Sequence, residues 1–240
     1  MFSKAKELYL KKNGFESFRP KAVLFDMDGV LFDSMPLHAK SWAKVSAEFG
    51  LDMTPEEVYM YEGRTGASTI NLLTQRYWKR QATEEEIQHI YEEKCHAFNA
   101  YPEAPKMPGA EDVLEKLVAA GIEVLVVTGS GQASLLNRLE TNYPGYFTAD
   151  KVVSSKDVKY GKPNPEPYLM GLQKAGVEPW EAIVVENAPL GVRAGVAAQI
   201  FTVAVNTGPL DDGVLLQEGA NALFPSMKDF AENLEKIIRE

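Results

Sequence analysis

Five short apolar runs constrain the fold of this chain more than any other feature of its sequence. They are continuous rather than alternating and rich in valine, which is typical of strands that are covered on both faces. Helical patterns lie between the later runs, and strands that alternate with helices form a parallel sheet with right-handed crossovers. We therefore predict an α/β fold with a parallel sheet. The runs are Ala22–Phe25, Val124–Val127, Val152–Val153, Ile183–Val185 and Phe201–Val205.

The helices between these runs have recognisable start and stop residues. Apolar side chains between Val113 and Val118 form one helical stripe, which we expect to end at Gly121. Asn164-Pro165 is predicted to supply the N-cap and first residue of a second helix, and Gly176 to end it. Pro189 is expected to open a third helix.

A long segment without strand signals interrupts the alternation. Between Pro36 and Pro102 only helix starts occur, with capping-box spacing after Thr54 and Thr83. We predict that residues 36–103 form a helical domain inserted into an α/β core of residues 21–35 and 104–240. Residues 1–20 are interpreted as a solvated lead-in segment with a short helix near Leu8–Leu10.

The composition excludes several classes of protein. Lys and Arg number 25 against 34 Asp and Glu, and a net charge of −9 is unsuited to a groove along a nucleic-acid backbone. No apolar stretch is long enough to span a membrane. The single cysteine, Cys95, cannot form an internal disulfide, which suits a reducing compartment. We expect a cytoplasmic monomer that binds neither nucleic acid nor membrane.

Acidic side chains follow the first predicted strand. Asp26 and Asp28 are two residues apart in extended chain, so both project to the same side. Two carboxylates that lie so close repel each other unless a cation or a proton lies between them. Ligands of open parallel sheets bind at the carboxyl ends of the strands, which is where this pair is expected.

Phosphate-binding residues are predicted beyond the second strand and before the second helix. Thr128–Gln132 combines hydroxyls with two glycines whose backbone N–H groups can turn towards phosphate oxygens. Lys162 lies beside a proline-rich stretch that limits the freedom of its loop. In an acidic protein, a lysine held in this way supplies the positive charge that an anionic substrate needs.

The fourth strand ends in Glu186-Asn187. A carboxylate and an amide oxygen near Asp26 form an all-oxygen set of the kind that Mg²⁺ prefers. Zinc is disfavoured because His and Cys do not occur at metal-ligand spacing.

Taken in order, Asp26–Ser34, Thr128, Lys162 and Glu186-Asn187 resemble the haloacid dehalogenase superfamily, in its β-phosphoglucomutase-like branch. The resemblance implies a Rossmann-like core, with the helical insert as its cap. It implies that Asp26 takes up the phosphoryl group as an aspartyl phosphate and that Asp28 is the general acid and base. Thr128 and Lys162 would hold the phosphoryl oxygens. Mg²⁺ would be bound by the Asp26 side chain, the Asp28 carbonyl and Glu186-Asn187.

Two positions depart from the family pattern. The fourth motif usually ends in two acids, whereas Asn187 is neutral and leaves the metal short of one negative charge. Glu62 lies where sugar-phosphate mutases of the branch have a lysine, and Gly66 lies where they have the arginine for the distal phosphate. A further carboxylate repels a second anionic group unless a metal lies between them. We therefore expect Glu62 to reach the Mg²⁺ and the substrate to be a small, metal-chelated diphosphate.

The resulting hypothesis is a Mg²⁺-dependent inorganic pyrophosphatase, and the pattern resembles pyrophosphatases of this branch. His38, Ser130 and Gln132 are further predicted substrate contacts. A sugar-phosphate phosphatase, a β-phosphoglucomutase and a phosphate-binding regulator without turnover are the alternatives. Whether Glu186 binds the metal or orients Lys162 stays open at this point.

Overall fold

The computed structural model describes residues 2–131 and 134–239. Within them, six parallel strands form one sheet in the order β3-β2-β1-β4-β5-β6, which confirms the predicted α/β architecture. The sixth strand was not predicted, because three residues without a β-branched side chain have no distinctive pattern. The strands are β1 (Ala22–Phe25), β2 (Glu123–Val127), β3 (Val152–Val153), β4 (Ala182–Glu186), β5 (Phe201–Val205) and β6 (Ala222–Phe224).

Helices cover the sheet and fill the segment after β1. Those that follow β2 to β5 connect parallel strands, as the sequence pattern predicts. The helices are α1 (Phe2–Asn13), α2 (Met35–Glu48), α3 (Pro55–Met60), α4 (Gly66–Tyr77), α5 (Glu84–Asn99), α6 (Ala110–Ala119), α7 (Leu135–Asn142), α8 (Glu166–Ala175), α9 (Pro189–Ala197), α10 (Asp212–Gln217) and α11 (Met227–Ile238).

The predicted helix boundaries agree with the structure to within about one residue. Gly121 follows α6 in the left-handed region at φ +73°, and Gly176 caps α8 at φ +63°. Helix α8 begins one residue later than predicted, at Glu166, whose N–H donates to the side chain of Asn164 at 2.9 Å. Pro189 opens α9. Local chemistry at these positions was therefore sufficient to place the helix ends.

The central strands are buried on both faces, and their carboxyl ends lie level with one another. Phe25 of β1 is aligned with Val126 of β2 and with Val185 of β4. This register brings the residues that follow β1, β2 and β4 to the same edge of the sheet. The strand topology by itself therefore brings the backbone positions of the predicted site residues close together.

The lead-in segment differs from the prediction. Helix α1 is longer than expected, and Tyr9 is only 2% exposed and belongs to the main core. Its hydroxyl donates to the carbonyls of Pro179 and Gln199 at 3.1 and 2.9 Å. Tyr9 also contacts Phe15, Phe18 and Phe201. The aromatic side chains of this segment explain why it packs on the core although its surface is rich in lysine.

Helices α2 to α5 occupy the predicted helical insert. Both predicted capping boxes are present, at Thr54 and at Thr83. Buried side chains from Met35 to Ile90, Trp42 and Leu73 among them, form a hydrophobic cluster separate from the clusters around the sheet. This cluster supports our proposal that residues 36–103 are a cap domain. Among the described residues, no helix is both long and apolar enough to cross a membrane.

Candidate active site

Lys162 connects the ends of three neighbouring strands. Its Nζ donates to Asp26 Oδ1 at 2.5 Å, after β1, and to Glu186 Oε1 at 2.6 Å, at the end of β4. The third acceptor is the carbonyl of Val127 in β2, at 3.0 Å. Burial alone would lower the pKa of Lys162, but the charges of Asp26 and Glu186 outweigh it and raise that pKa above its usual value. Lys162 is therefore a fixed cation at the centre of the site.

Asp26 is buried beside this lysine. Burial raises the pKa of Asp26 to about 7, because the nearby carboxylate of Glu186 offsets part of the stabilisation that Lys162 supplies. Asp26 also lines the cavity described below. The side chain predicted to be the nucleophile is thus held at the bottom of a cleft, within a cluster of negative charge.

Glu186 is satisfied by four hydrogen-bond donors of the protein itself. Besides Lys162, its Oε1 accepts from the Tyr168 hydroxyl at 2.7 Å, and its Oε2 accepts from the N–H groups of Asn187 and Ala188. The arrangement favours the interpretation that Glu186 orients Lys162. Tyr168, on α8, was not identified from the sequence, because nothing in the helical pattern distinguishes it from an ordinary core aromatic residue.

Three groups converge on one oxygen of Asp28. Ser34 Oγ donates to Oδ1 at 2.5 Å, His38 Nε2 lies 3.2 Å from it, and Arg138 Nη1 lies 3.8 Å from it. Burial opposes ionisation of Asp28, but these three groups outweigh it and hold the pKa of Asp28 well below its usual range. Ser34 was noted from the sequence only as the end of the Asp26–Ser34 motif, and Arg138 was not identified, because nothing in the pattern of α7 distinguishes it from a surface arginine.

His38, predicted as a substrate contact, joins Asp28 to a buried lysine of the cap. Lys94 Nζ is 2.8 Å from His38 Nδ1, and the Phe98 ring stacks on the imidazole at 4.3 Å between centroids. Burial lowers the pKa of Lys94 to about 8 and also lowers the pKa of His38. The sequence did contain a signal for Lys94, since it is a charged residue within the apolar face of α5.

Glu62 and Asn187 meet across the boundary between cap and core. Asn187 Nδ2 donates to Glu62 Oε2 at 3.0 Å. Burial raises the pKa of Glu62 well above its usual value, and the carboxylates of Asp26, Glu186 and Asp28 add to this effect. Within the described residues, Glu62 Oε1 and Asn187 Oδ1 are buried and accept no hydrogen bond. Two oxygen atoms in this acidic cluster therefore lack a donor.

Glycines permit the close approach of the cap to the core. Residues 61–65, which we call the cap loop, include Gly63, whose φ is +84°. A Cβ atom at Gly63 would lie 2.7 Å from Lys162 Cδ, and one at Gly129 would lie 2.9 Å from the carbonyl of Gly63. At Gly29 it would lie 2.1 Å from Asn187 Nδ2. Side chains at these positions would separate the parts of the site.

The predicted phosphate loop is described only in part. Thr128 is buried, and its Oγ1 accepts from the Ser130 N–H at 3.0 Å. Both residues line the cavity next to Asp26. Gln132, predicted as a further substrate contact, lies outside the described residues.

A cavity of about 80 Å³ lies between the cap and the carboxyl end of the sheet. Its core side carries charge and hydroxyl groups, whereas the cap side is largely apolar and aromatic, with Glu62, Arg64 and Lys94 as charged members. Residues of the cap side include Met35, Trp42, Met53, Val58, Tyr61 and Tyr91.

Comparisons with known proteins identify relatives of this chain. A family model described as haloacid dehalogenase-like hydrolase matches residues 23–205. A solved structure from Bacteroides vulgatus, provisionally described as a β-phosphoglucomutase, is 58% identical with a TM-score of 0.96, covering 100% of this chain and 98% of that one. Hexitol phosphatase A of Escherichia coli K12 is 33% identical over 78% of this chain and 84% of its own length. Pyrophosphatase PpaX of Oceanobacillus iheyensis is 26% identical, over 87% and 94% respectively.

Proposed function

Since this chain belongs to the haloacid dehalogenase-like hydrolases and is a phosphatase of that family, we propose that the bond it hydrolyses is the P–O–P bond of inorganic pyrophosphate. The observation that carries this proposal is the hydrogen bond between Glu62 of the cap loop and Asn187 of the core. It holds a carboxylate in the lining of the cavity, where a bulky anionic substrate would be repelled and a metal-chelated one accepted.

The donor atoms of the site suit a Mg²⁺ ion. The carboxylates of Asp28 and Glu186 help to raise the pKa of Asp26 and that of Glu62, and Lys162 offsets this effect only in part. The buried oxygens of Glu62 and Asn187 that accept no hydrogen bond are hard ligands of the kind Mg²⁺ takes. Among the described residues, no group of three His, Cys, Asp or Glu side chains is arranged to bind a metal ion by itself. We therefore propose a mixed set: the side chains of Asp26, Asn187 and Glu62, and the Asp28 carbonyl.

A bound magnesium ion would neutralise negative charge on the phosphoryl oxygens. In the proposed reaction, a carboxylate oxygen of Asp26 attacks one phosphorus, and the bond from that phosphorus to the bridging oxygen breaks. Asp28 can give a proton to the departing phosphate only after it has taken one up, and the negative charge of the bound substrate would raise its pKa from the low value that Ser34, His38 and Arg138 impose. Asp28 then takes a proton from the water that hydrolyses the aspartyl phosphate, which restores both aspartates. Lys162 and Thr128 hold the oxygens of the transferred group throughout.

The volume of the cavity supports a small substrate. The cavity of about 80 Å³ lies under the seated cap loop, and Gly66 provides no cation for a distal sugar phosphate. Arg64 and Lys94 are the cap cations among the residues that line this cavity, and Lys94 is the buried one. It is suitably located to balance the charge of the leaving phosphate.

A hexitol- or sugar-phosphate phosphatase is the second candidate, and two observations favour it. The named activity of hexitol phosphatase A belongs to a relative of higher identity than the pyrophosphatase. The aromatic cap wall, with Trp42, Tyr61 and Tyr91, also offers rings on which a polyol chain can pack. Both candidates use the same phosphoryl chemistry and differ in the leaving group.

A substrate panel with and without Mg²⁺ tests the proposal. Phosphate release would be measured from pyrophosphate, sorbitol 6-phosphate, fructose 1-phosphate and glucose 6-phosphate. We expect the largest kcat/KM with pyrophosphate, and only with Mg²⁺ present. A larger value with any sugar phosphate would replace pyrophosphate by that substrate class. Formation of glucose 6-phosphate from β-glucose 1-phosphate would instead identify the mutase.

A further inference from the structure

Arg138 lies behind the site without lining the cavity. It is in α7, and its side chain is 14% exposed. The guanidinium carbon is 3.9 Å from the centroid of the Phe32 ring, so the planar group packs on an aromatic face. Phe32 is buried and packs against Tyr143. The guanidinium is therefore held by a rigid part of the core.

The guanidinium that packs on Phe32 also faces Asp28. Arg138 Nη1 lies 3.8 Å from Asp28 Oδ1, the oxygen that also accepts from Ser34. The other carboxylate near Arg138 is Glu103, whose Oε1 is 4.0 Å from Nε, and Glu103 is largely exposed. Within the described residues, Arg138 Nε and Nη2 are buried and make no hydrogen bond. Burying an arginine in this way is costly unless its charge serves a neighbour.

We propose that Arg138 is a positioning residue for Asp28, holding Oδ1 at the rear of the site so that Oδ2 is directed to the leaving-group oxygen. Ser34 and His38 approach the same Oδ1, so Arg138 is the third side chain that lies next to this oxygen. This inference rests on the proposed function, because it assumes that Asp28 transfers the proton.

The proposal predicts a dependence on the leaving group. Proton donation matters most when the departing oxygen is strongly basic and matters little when it leaves readily as an anion. Phenol, with a pKa of about 10 like that of tyrosine, needs the proton far more than the more acidic 4-nitrophenol does. Phenyl phosphate and 4-nitrophenyl phosphate are otherwise similar in shape, so they isolate proton transfer from binding.

The experiment compares kcat/KM of the two esters for the wild type, Arg138→Met and Arg138→Lys, because kcat/KM reports the step in which the leaving group departs. With Arg138→Met we expect a loss of roughly tenfold or more with phenyl phosphate and less than about threefold with 4-nitrophenyl phosphate. Arg138→Lys, which keeps the charge but not the planar stack, should recover part of the loss. Equal losses with both esters, or no loss with either, would overturn the proposal.

Two further variants make the result unambiguous. Asp28→Asn should show the same leaving-group dependence more strongly; if it shows none, the proposed proton transfer by Asp28 fails rather than the assignment of Arg138. Arg239→Met removes an exposed arginine that pairs with the exposed Glu235 of α11, and it should leave both values unchanged. If Arg138→Met does not fold, the comparison of Arg138→Lys with the wild type decides, and equal behaviour of the two esters in that variant would contradict the proposal.

Discussion

In the proposed function, the choice between pyrophosphate and a sugar phosphate depends on the carboxylate of Glu62. It reaches the core through Asn187, and its second oxygen is buried without a hydrogen-bond donor among the described residues. A free carboxylate in that position needs a cation. In its absence, Glu62 would be protonated or displaced, because burial and the carboxylate of Asp26 both raise its pKa.

Replacement of Glu62 should therefore change the substrate preference. We expect Glu62→Ala to lower kcat/KM for pyrophosphate by about 10- to 100-fold, the usual loss when a metal partner is removed. Activity on small phosphate esters should be retained or increased, because a negative charge has left the site. Glu56→Ala, an exposed acid of α3, is the control. An unchanged ratio between pyrophosphate and ester would contradict the argument.

The predicted nucleophile provides a test that does not depend on the substrate. Asp26→Asn keeps the shape of the side chain but removes the charged oxygen that attacks phosphorus. We expect phosphate release to fall to background with every compound in the panel. Phosphorylation of the protein during turnover should also disappear, as measured by mass spectrometry after acid quench. A fully active variant would remove Asp26 from the chemistry.

At the scale of elements, the cap loop is seated on the core through glycine contacts. Gly63→Ala would add a Cβ 2.7 Å from Lys162 Cδ, and would also strain a left-handed backbone. Gly50→Ala is a matched control, because Gly50 has φ +65° but has nothing within 4 Å of a Cβ.

Both variants should lose about 1 kcal/mol of unfolding free energy from the backbone strain. Only Gly63→Ala should lower kcat, and we expect a loss of tenfold or more because the cap loop and Lys162 can no longer approach each other. Urea denaturation and steady-state kinetics measure the two effects separately. Similar kinetics in the two variants would mean that this contact is not needed for turnover.

Helix α1 is a second element whose importance only the structure reveals. Tyr9→Ala should lower the unfolding free energy by about 3–5 kcal/mol, the usual cost of emptying a buried aromatic site. Tyr9→Phe should cost about 1 kcal/mol through its two lost hydrogen bonds. Leu8→Ala, at a position 57% exposed, should cost little.

Activity of the folded Tyr9 variants should not change, because the carbonyls that Tyr9 contacts precede β4 and β5, at the end of the sheet opposite the site. A Tyr9→Ala variant as stable as the wild type would show that α1 is dispensable for folding.

For the molecule as a whole, the acidic site is expected to link metal binding to stability. The chain has a net charge of −9, and the charges of three acids of the site, Asp26, Asp28 and Glu186, act on a fourth, Glu62. A ligand that binds only the folded state stabilises it, by about 2.7 kcal/mol at a concentration one hundred times its Kd. For a protein of this size that corresponds to a rise in Tm of roughly 5–10 °C.

We therefore expect MgCl₂ to raise the Tm in the absence of substrate, and a chelator to reverse the rise. NaCl at matched ionic strength should raise it much less, because screening acts on all surface charges alike. Asp26→Asn combined with Glu62→Ala should abolish the specific effect. An equal rise with NaCl, or in the double variant, would contradict a metal site at these residues.

The parts predicted from sequence were those governed by local chemistry. Val-rich runs predicted β1 to β5, and capping residues such as Thr54 and Thr83 predicted where cap helices begin. Asp26, Thr128, Lys162 and Asn187 were identified because each immediately follows a strand or lies beside a rigid turn. Their functional assignments stay predictions, but the structure brings all four to one edge of the sheet.

Lys94, Arg138 and Tyr168 were missed as members of the site because each acts through a contact with a residue far away in the chain, whereas Ser34, six residues from Asp28, was noted only as the end of the Asp26–Ser34 motif. Arg138 and Asp28 are 110 residues apart in the sequence. Tyr168 lies in α8 and donates its hydrogen bond to Glu186, at the end of β4. Side chains of this kind look like ordinary core or surface residues until the fold fixes their partners. Lys94 is the exception, since a charge within an apolar helix face is visible in the sequence.

The sequence by itself determined the α/β alternation, the helical insert and the edge of the sheet at which the acids collect, because these follow from residue periodicity and from the geometry of parallel strands. The tertiary structure alone decided that Glu186 is engaged by Lys162 and Tyr168, and that Glu62 meets Asn187. Those contacts join residues from separate elements, and their distances depend on how the cap packs on the core, which no local pattern encodes.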